Sequence, residues 1–395
     1  MDELQKRRAQ YEQAARDDAP RIEWTEGDET RSAVWRSESG APAPRRVQVV
    51  DDTMTADTAF RLASEGTSLL WRGDYHNARQ LLQAIARRID ERRTGKKPRK
   101  KPPIAMPEAF HLHRQAQAQR ARTLGMLLLP FDGDYAIPLR RAPEVGEACT
   151  EAWGPAPGEP FVASLRELLG VIGAHEWRRK GVEIAALGAR IHPHYGVFSP
   201  VRGEYLALVQ RAPLPAGTLA FDIGVGTGVI AALLARRGVA RIVATEQDAR
   251  ALACAADNLG RLGLAGRVEL VHTDLFPPGR APLVVCNPPW LPTRPSSPIE
   301  NAVYDPDSRM LRGFLAGLGA HLEAGGEGWL ILSDLAELLG LRSRDELLAL
   351  IEAGGLKVLD RLDIRPSHPK ANDAGDPLHA ARAAETTSLW RLAAA

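Results

Sequence analysis

Short apolar runs alternate with helical stretches over the second half of the chain. Seven runs have the length of β-strands, at residues 219–225, 241–245, 268–272, 283–286, 328–333, 356–364 and 386–392. Three stretches between them carry apolar residues at helical spacing, at residues 228–237, 249–262 and 308–322. This alternation is typical of βαβ units around a parallel sheet. No helix separates the last two runs, so we predict that they form a terminal antiparallel pair.

The first half of the chain has a different pattern. Apolar residues at helical spacing predict two helices within residues 55–93. An apolar run, a Gly133-Asp134 turn and a second run predict a hairpin over residues 126–139. We therefore expect four parts, which are a loosely ordered polar leader at 1–45, a mainly helical N-terminal domain at 46–150, a linker and helix at 151–190, and an α/β domain at 191–395.

The composition is that of an ordinary globular protein, with 44% hydrophobic and 25% charged residues among 395. No apolar run approaches the roughly 20 residues of a membrane helix, and the first ten residues are too charged for a secretory signal. The three cysteines (Cys149, Cys254 and Cys286) are odd in number and widely spaced, which argues against a disulfide framework or a zinc site. We expect a monomer in the reducing cytoplasm that uses neither a membrane nor a metal.

The formal net charge of +2 conceals a basic strip at residues 87–101. Nine arginines and lysines occur there, accompanied by only two carboxylates, those of Asp90 and Glu91. Such a strip is typical of a surface that contacts nucleic-acid phosphates. A solvated linker or helix end has the same composition, so the strip alone leaves both interpretations open.

Three glycines (Gly224, Gly226 and Gly228) follow Asp222 at the end of the first strand of the α/β region. Glycines at a strand end allow a tight turn and a close approach of a ligand to the main chain. The dinucleotide pattern G-x-G-x-x-G would need glycine at position 229, where Val229 stands, and no Gly-Lys-Ser/Thr of a phosphate loop follows.

Two carboxylates end the next two strands. Glu246 lies 18 residues after Gly228, near the position from which an acidic residue can accept hydrogen bonds from ribose hydroxyls. Asp274 ends the third strand. In a doubly wound sheet all these positions lie along one crevice at the carboxyl ends of the strands. Each carboxylate taken alone is equally typical of a helix cap.

The fourth strand runs into Asn287-Pro288-Pro289-Trp290. Two prolines cannot continue a strand ladder, so the Pro288 carbonyl is left to accept another hydrogen bond. The Asn287 side chain adds a second acceptor, and Trp290 adds a flat stacking face. Together they would hold a planar group that carries an NH₂ and align the lone pair of its nitrogen on an electrophile. A proline-rich turn with a core tryptophan is the alternative interpretation.

These motifs resemble those of class I S-adenosylmethionine-dependent methyltransferases. More narrowly, they resemble the small-domain group, which includes glutamine methyltransferases of release factors and ribosomal proteins and enzymes that methylate adenine N6 or guanine N2 in nucleic acids. The resemblance covers about residues 190–395. It implies a Rossmann-like seven-stranded sheet, S-adenosylmethionine as the cofactor, and direct transfer of a methyl group to a nitrogen.

The resemblance also implies roles for individual residues. Asp222 and the three glycines would line the methionine part of the cofactor, with Asn287 close by. Glu246 would bind its ribose, and Asp274 its adenine amine. The catalytic acceptor site would be formed by Asn287, Pro288, Pro289 and Trp290. Segments 198–202 and 302–305 also resemble positions that flank the site in this group.

The substrate stays open because Trp290 stands where the group usually has tyrosine or phenylalanine, and because about 190 residues precede the core. We favour a base in RNA, in the ribosome or an assembly intermediate, with phosphate contacts from the basic strip and Trp290 stacked on a flipped base. Methylation of a glutamine amide in a ribosomal protein or translation factor is the alternative. A non-enzymatic RNA-binding module with a degenerate core is the third interpretation. A DNA adenine methyltransferase would lack an obvious target-recognition domain.

Overall fold

The computed structural model describes residues 19–94, 104–200, 203–215, 217–295, 298–366, 373 and 375–395. The chain divides into two units. The N-terminal unit comprises Met1–Lys101 and Gln115–Gly173, and the C-terminal unit comprises Pro102–Arg114 and Ala174–Ala395. Residues 102–114 therefore belong to the C-terminal unit, although they are surrounded in sequence by the N-terminal one.

The N-terminal unit contains a six-stranded mixed sheet with the order β1-β2-β6-β5-β4-β3. Its strands are β1 (Arg21–Glu26), β2 (Glu29–Arg36), β3 (Val47–Val50), β4 (Ser68–Trp71), β5 (Leu127–Phe131) and β6 (Phe161–Ser164). The helices in this half of the chain are α1 (Ala56–Ser64), α2 (Tyr75–Thr94), α3 (Met106–Gly125), α4 (Gly146–Trp153) and α5 (Leu165–Lys180). The division between the two units falls within α3 and within α5.

This sheet corrects the expectations for residues 19–173. The prediction of a leader is wrong for residues 21–36, since β1 and β2 bury Trp24 and Trp35 in the core. The hairpin at 126–139 is also wrong, because β5 pairs with β4 and β6 instead. The linker beginning at residue 151 contains the end of α4 and all of β6, and the expectation of a mainly helical domain missed the sheet.

The physical reason lies in the inner strands. Every residue of β4, β5 and β6 is buried, so these strands are continuous apolar runs of four or five residues without polar alternation. Such runs cannot be distinguished from buried helical segments by periodicity. Leu69, Leu70 and Trp71, which were expected in a helix, form β4 for this reason.

The C-terminal unit contains the predicted seven-stranded sheet, with the order β11-β10-β9-β12-β13-β15-β14. Its strands are β9 (Leu219–Ile223), β10 (Arg241–Glu246), β11 (Val268–His272), β12 (Ala281–Cys286), β13 (Leu322–Ser333), β14 (Leu356–Ile364) and β15 (Thr387–Ala394). A small antiparallel pair, β7 (Val182–Ile184) and β8 (Ala189–Ile191), precedes it. The helices are α6 (Glu204–Arg211), α7 (Val229–Arg236), α8 (Ala249–Arg261), α9 (Arg309–His321), α10 (Leu335–Leu338), α11 (Arg344–Ala353) and α12 (His379–Ala384).

The topology confirms the expected fold of this unit. Strands β9 to β13 are parallel, and β15 is antiparallel to both β13 and β14. Apolar residues of α6, α7 and α8 cover one face of the sheet, and those of α9 and α11 cover the other. The chain reverses its direction of winding at β9, which lies between β10 and β12. Ligands of open α/β sheets bind at the carboxyl ends of the strands at such a switch point.

Among the helices of the described residues, none combines the length and the apolar character that a membrane crossing requires.

A buried ion pair connects the parallel part of the sheet to its antiparallel end. Glu327 on β13 accepts hydrogen bonds from Arg391 on β15 (2.6 and 2.9 Å) and from the indole of Trp329 (3.1 Å). We expect Glu327→Gln to lower the free energy of unfolding by about 3 kcal/mol, because it leaves the largely buried guanidinium of Arg391 with only the longer contact to the exposed Asp360 at 3.5 Å. Urea denaturation measures this change.

The matched control is Glu269→Gln. Glu269 pairs with Arg241 at the same distance of 2.6 Å, but both side chains are more than half exposed. We expect this variant to lose less than about 1 kcal/mol. Equal losses in the two variants would contradict the stabilising role of the buried pair.

Candidate active site

The glycine turn lies directly after β9 and is fixed to the end of β10. The backbone N–H groups of Gly224 and Val225 both donate to the Thr245 carbonyl, at 3.0 and 2.9 Å. Gly224, Gly226 and Gly228 have φ values of +77°, +53° and +83°, which side chains other than glycine rarely adopt. A methyl group at Gly226 would meet no atom within 4 Å, so the turn borders open space there.

Glu246 closes one side of this turn. One oxygen of its carboxylate accepts a hydrogen bond from the backbone N–H of Gly226 at 3.1 Å. The other oxygen accepts from the N–H groups of Gln247 and Asp248. The structure therefore brings Glu246 into contact with the glycine turn, and its role in ribose binding stays a prediction.

Asp222 lies beneath the turn and is completely buried. Among the described residues, neither of its carboxylate oxygens makes a well-formed hydrogen bond. Burial raises its pKa to about 7 despite the backbone N–H of Ala231, and the nearby Glu246 carboxylate adds to the rise. A buried carboxylate without a partner is unfavourable, and a cation placed beside it would remove that cost.

Asp274 lies at the same edge of the sheet but has a partner that the sequence did not indicate. Arg309, the first residue of α9, donates to both oxygens of Asp274 at 2.9 and 3.3 Å and to the side-chain oxygen of Gln247 at 3.3 Å. The hydrogen bond from Arg309 lowers the pKa of Asp274. Both side chains are about half exposed, so this ion pair is accessible to a ligand.

The acceptor motif follows β12 and lies beside the glycine turn. Cys286 pairs with Ile223 in the parallel register, so Asn287 and Gly224 each follow directly after the last residues of two neighbouring strands. Pro288 is buried, whereas Asn287, Pro289 and Trp290 are half-buried. The indole N–H of Trp290 donates to the side-chain oxygen of Asn287 at 2.9 Å. Trp290 thus contacts the side-chain amide of Asn287 directly, which the expectation of a stacking face alone had not included.

Tyr205 of α6 is a second contact of Asn287 that sequence reasoning missed. Its side chain is buried and its hydroxyl hydrogen-bonds to the Asn287 side chain. Burial raises the pKa of Tyr205, the carboxylate of Asp222 raises it further, and the hydrogen bond with Asn287 opposes the rise. No spacing rule connects α6 with the motif after β12, so the sequence carried no signal for this contact.

Asn258 holds the other side of the glycine turn and was also missed. This buried residue of α8 donates to the Thr227 carbonyl at 3.0 Å. Its side-chain oxygen accepts from the backbone N–H of His192 at 2.7 Å. The segment that begins at His192 is thereby linked to the turn through a single side chain. Residues 201–202 of the expected flanking segment lie outside the described residues.

The loop after the acceptor motif is held by the first part of α3. Arg114 stacks on the ring of Tyr304 at 3.9 Å, pairs with Glu300 at 3.1 Å and donates to the Arg294 carbonyl at 2.6 Å. Phe110, one turn earlier, is buried in a cluster with Leu291, the residue after Trp290. Phe110 and Arg114 are therefore part of the packing around the Asn-Pro-Pro-Trp motif and the loop after it.

Only the first part of the expected basic strip lies within the described residues. Residues 87–94 form the end of α2, and residues 95–101 lie outside the described residues. Within the described part, Arg88 pairs with Asp57 at 2.6 Å. The strip stays a prediction.

Known proteins with similar sequences are methyltransferases. Residues 188–336 match the family described as methyltransferase small domain. The chain is 34% identical over 186 residues to a release factor glutamine methyltransferase of Cereibacter sphaeroides, a match that covers 42% of this chain and 63% of the relative. The resemblance to the small-domain methyltransferases is therefore confirmed, and it supports S-adenosylmethionine as the cofactor of the C-terminal unit.

Two further relatives match over shorter segments, and their names mention other acceptors. A ribosomal protein L11 methyltransferase of Pelotomaculum thermopropionicum is 43% identical over 84 residues, which cover 21% of this chain and 27% of the relative. A tRNA1(Val) (adenine(37)-N6)-methyltransferase of Vibrio parahaemolyticus is 36% identical over 95 residues, which cover 23% of this chain and 39% of the relative. The chain thus spans between 27% and 63% of the length of these three relatives.

The residues of the crevice fit this cofactor. The buried carboxylate of Asp222, which has no positively charged partner among the described residues, suits the positively charged amino group of its methionine part. The open space beside Gly226 admits a ligand where a side chain would intrude. The carboxylates of Glu246 and Asp274, at the ends of the next two strands, suit hydroxyl and amine hydrogens.

The buried carboxyl of Asp222 predicts a pH dependence of stability. Its pKa of about 7 lies above the ordinary value of 3.8, so the folded state holds this proton more tightly than the unfolded state. Between about pH 4 and pH 7 the unfolded state consequently binds fewer protons, and the free energy of unfolding falls as the pH rises. We expect Asp222→Asn, in the ligand-free protein, to remove a decrease on the order of 2–4 kcal/mol across this window.

Urea unfolding of both proteins at pH 4.5, 6 and 7.5 measures the difference. Other carboxyls with raised pKa values, such as those of Asp305 and Asp334, contribute equally to both proteins and cancel. Parallel pH profiles for wild type and variant would contradict the assignment.

The space beside Gly226 predicts a selective loss of cofactor affinity. We expect Gly226→Ala to fold with a loss of about 1 kcal/mol, because φ is positive there. Its affinity for S-adenosylmethionine should fall at least on the order of tenfold, since the new methyl group occupies the ligand's space. Gly238→Ala is the control, because Gly238 also has a positive φ and open surroundings but lies at the end of α7. Calorimetric titration showing equal affinities for the two variants would refute this use of the turn.

Proposed function

We propose that the C-terminal unit is an S-adenosylmethionine-dependent N-methyltransferase that acts on an exocyclic amino nitrogen of a planar target. The observation that carries the proposal is the register Cys286↔Ile223, because the Asn287 motif and the glycine turn follow directly after these two paired residues. An acceptor and a methyl donor held on neighbouring strand ends would be in reacting distance without any further rearrangement of the sheet. The match of residues 188–336 to the methyltransferase small domain supports the same reaction class.

The proposed binding residues lie at the ends of β9, β10 and β11. Asp222 would pair with the amino group of the methionine part, Glu246 would accept from the ribose hydroxyls, and Asp274 would accept from the adenine amine. For the last contact, the Asp274 carboxylate would share its hydrogen-bonding capacity with Arg309 or release it. The bound cofactor supplies a methyl group made electrophilic by its positively charged sulfur.

The chain's own contribution to the chemistry is alignment. The side-chain oxygen of Asn287 and the carbonyl of Pro288 would accept the two N–H hydrogens of the target group. An amide or aromatic amine nitrogen is a poor nucleophile, because its lone pair is delocalised. Holding both hydrogens favours the tetrahedral form and would direct the lone pair towards a methyl donor bound at the glycine turn, where the space beside Gly226 is open. No side chain has to form a covalent intermediate, and the fully buried Cys286 serves as core packing.

For the acceptor we favour a base in RNA, in the ribosome or in an assembly intermediate. The half-buried indole of Trp290 offers a stacking surface for an unstacked base, and the basic strip at residues 87–101 offers phosphate contacts. The name of the Vibrio parahaemolyticus relative includes such a target, an adenine of tRNA.

A protein N5-glutamine methyltransferase is the second candidate. It is favoured by the match to a release factor glutamine methyltransferase, which extends over 186 residues and is longer than the other two matches described above. The non-enzymatic alternative, an RNA-binding module with a degenerate core, has less support. Asp222, Glu246 and Asn287 all lie at the carboxyl edge of one sheet, which a degenerate site would not need to maintain.

One labelling experiment distinguishes these candidates. Extract from a strain that lacks the gene is incubated with the purified protein and methyl-labelled S-adenosylmethionine and is then divided between RNase and protease. An RNA acceptor predicts label that is lost to RNase and retained after protease. The opposite pattern would replace the RNA proposal with the protein one, and the absence of any transferred label would overturn the enzyme proposal.

The role of the acceptor motif is tested by Asn287→Ala. We expect kcat to fall at least on the order of 100-fold, because one of two acceptors for the target N–H groups is removed. The affinity for S-adenosylmethionine, measured by calorimetry, should change far less. Asn77→Ala in the N-terminal unit is the matched control, since the Asn77 side chain donates to Asp52 there, at a site distant in sequence from the motif. Full turnover by Asn287→Ala would contradict the assignment of this motif as the acceptor site.

A further inference from the structure

The Asn287 side chain could present either of two faces to an acceptor. Its carboxamide oxygen accepts hydrogen bonds, whereas its nitrogen only donates them. A target NH₂ is a donor, so only the oxygen can hold it. Rotation of the amide by 180° would place two NH₂ groups against each other. A site of this kind therefore needs something that fixes the orientation of the amide.

Trp290 supplies the first constraint. Its indole Nε1 is a donor only, and it lies 2.9 Å from the carboxamide atom that faces it. That atom must therefore be the oxygen, which makes the orientation of Asn287 unambiguous. A carbonyl oxygen has two lone pairs, so one stays available for the target. The two residues are separated only by Pro288 and Pro289, whose rings restrict the backbone between them.

Tyr205 supplies the second constraint from a different element. Because the oxygen of Asn287 faces the indole, its nitrogen is the atom that meets the Tyr205 hydroxyl. Tyr205 is 8% exposed and is packed in the core cluster on the α6 side of the sheet. Rotation of the amide would bring its NH₂ against the indole N–H, and both donors would lose their partners. The indole therefore selects this orientation, and the Tyr205 hydroxyl, which can either donate or accept, holds the amide in it.

We propose that Tyr205 and Trp290 are positioning residues that lock the Asn287 carboxamide with its oxygen towards the acceptor, so that the site selects targets that present N–H hydrogens. This inference rests on the proposed N-methyltransferase function. Trp290 acts here through its N–H group, independently of any stacking on the target.

Single substitutions measure the two contacts. We expect Tyr205→Phe and Trp290→Phe each to lower kcat about tenfold, since each removes one hydrogen bond that fixes the amide. The affinity for S-adenosylmethionine should stay within about twofold, because the proposed cofactor contacts come from the glycine turn, Asp222, Glu246 and Asp274, whose side chains stay unchanged. Tyr135→Phe and Trp24→Phe are controls that each remove hydrogen bonds of the same chemical kind in the N-terminal unit. Wild-type kcat in both site variants would overturn the inference.

The Asn287→Asp variant distinguishes a positioning role of Tyr205 and Trp290 from a general contribution of these residues to the stability of the fold. A carboxylate has two equivalent oxygens, so it needs no partner to choose between its faces. In the Asn287→Asp background, Tyr205→Phe and Trp290→Phe should therefore change kcat less than about twofold. Tenfold losses that persist in this background would show a merely structural role and would refute the proposal.

A readout without turnover distinguishes this inference from the proposed function. The side-chain amide signals of Asn287 in a nitrogen-15 spectrum are identified by their absence in Asn287→Asp. We expect Tyr205→Phe to shift these signals and to accelerate their exchange with water, while Tyr135→Phe leaves them unchanged. If Asn287→Asp is inactive, or if no labelled acceptor is found, the spectrum alone tests whether Tyr205 positions the Asn287 amide. If the Asn287 signals do not change when the Tyr205 hydroxyl is removed, the inference that Tyr205 positions the amide is refuted. If the signals change but no methylated acceptor is found, the result counts against the proposed function alone.

Discussion

The parallel pairing of β9 with both β10 and β12 is the constraint on which the whole site depends. Because β9 is central, the chain segments that follow all three strands emerge at one edge of the sheet. The glycine turn, Glu246 and Asn287 meet there without any long loop. A slip of one residue in the β9–β12 register would turn the side chains of the shifted strand to the opposite face of the sheet. Apolar layers on both faces of the sheet prevent such a slip.

The same burial that fixes this register creates the electrostatic character of the site. Asp222 is held in the sheet without a well-formed hydrogen bond, and its neighbours Cys286 and Tyr205 are also buried. An interior that lacks water amplifies both the cost of the unpaired carboxylate and the value of a positively charged ligand beside it. The fold thus carries a local instability that ligand binding would relieve.

The C-terminal unit was largely predictable from the sequence, and the N-terminal unit was not. Alternating strands and helices with glycine and proline punctuation located all seven strands of the larger sheet, and β11 and β14 have the predicted limits. The site residues that directly follow strand ends could be predicted from the same local pattern. Tyr205, Arg309 and Arg114 approach the site from remote segments, and no spacing within one segment encodes such contacts. The short inner strands β4, β5 and β6 lack the alternation that identifies a strand.

The assignment of residues 102–114 to the C-terminal unit has a consequence for how this protein can be divided. Phe110 belongs to the apolar cluster around Leu291, and Arg114 holds the loop that ends at Tyr304. A gene fragment that starts at the beginning of the α/β region would encode every residue of the crevice but omit this piece of its core. The fragment would expose an apolar surface next to the acceptor motif. The two units are thus interleaved in sequence, so that recombination could exchange them only by cutting the chain at several points.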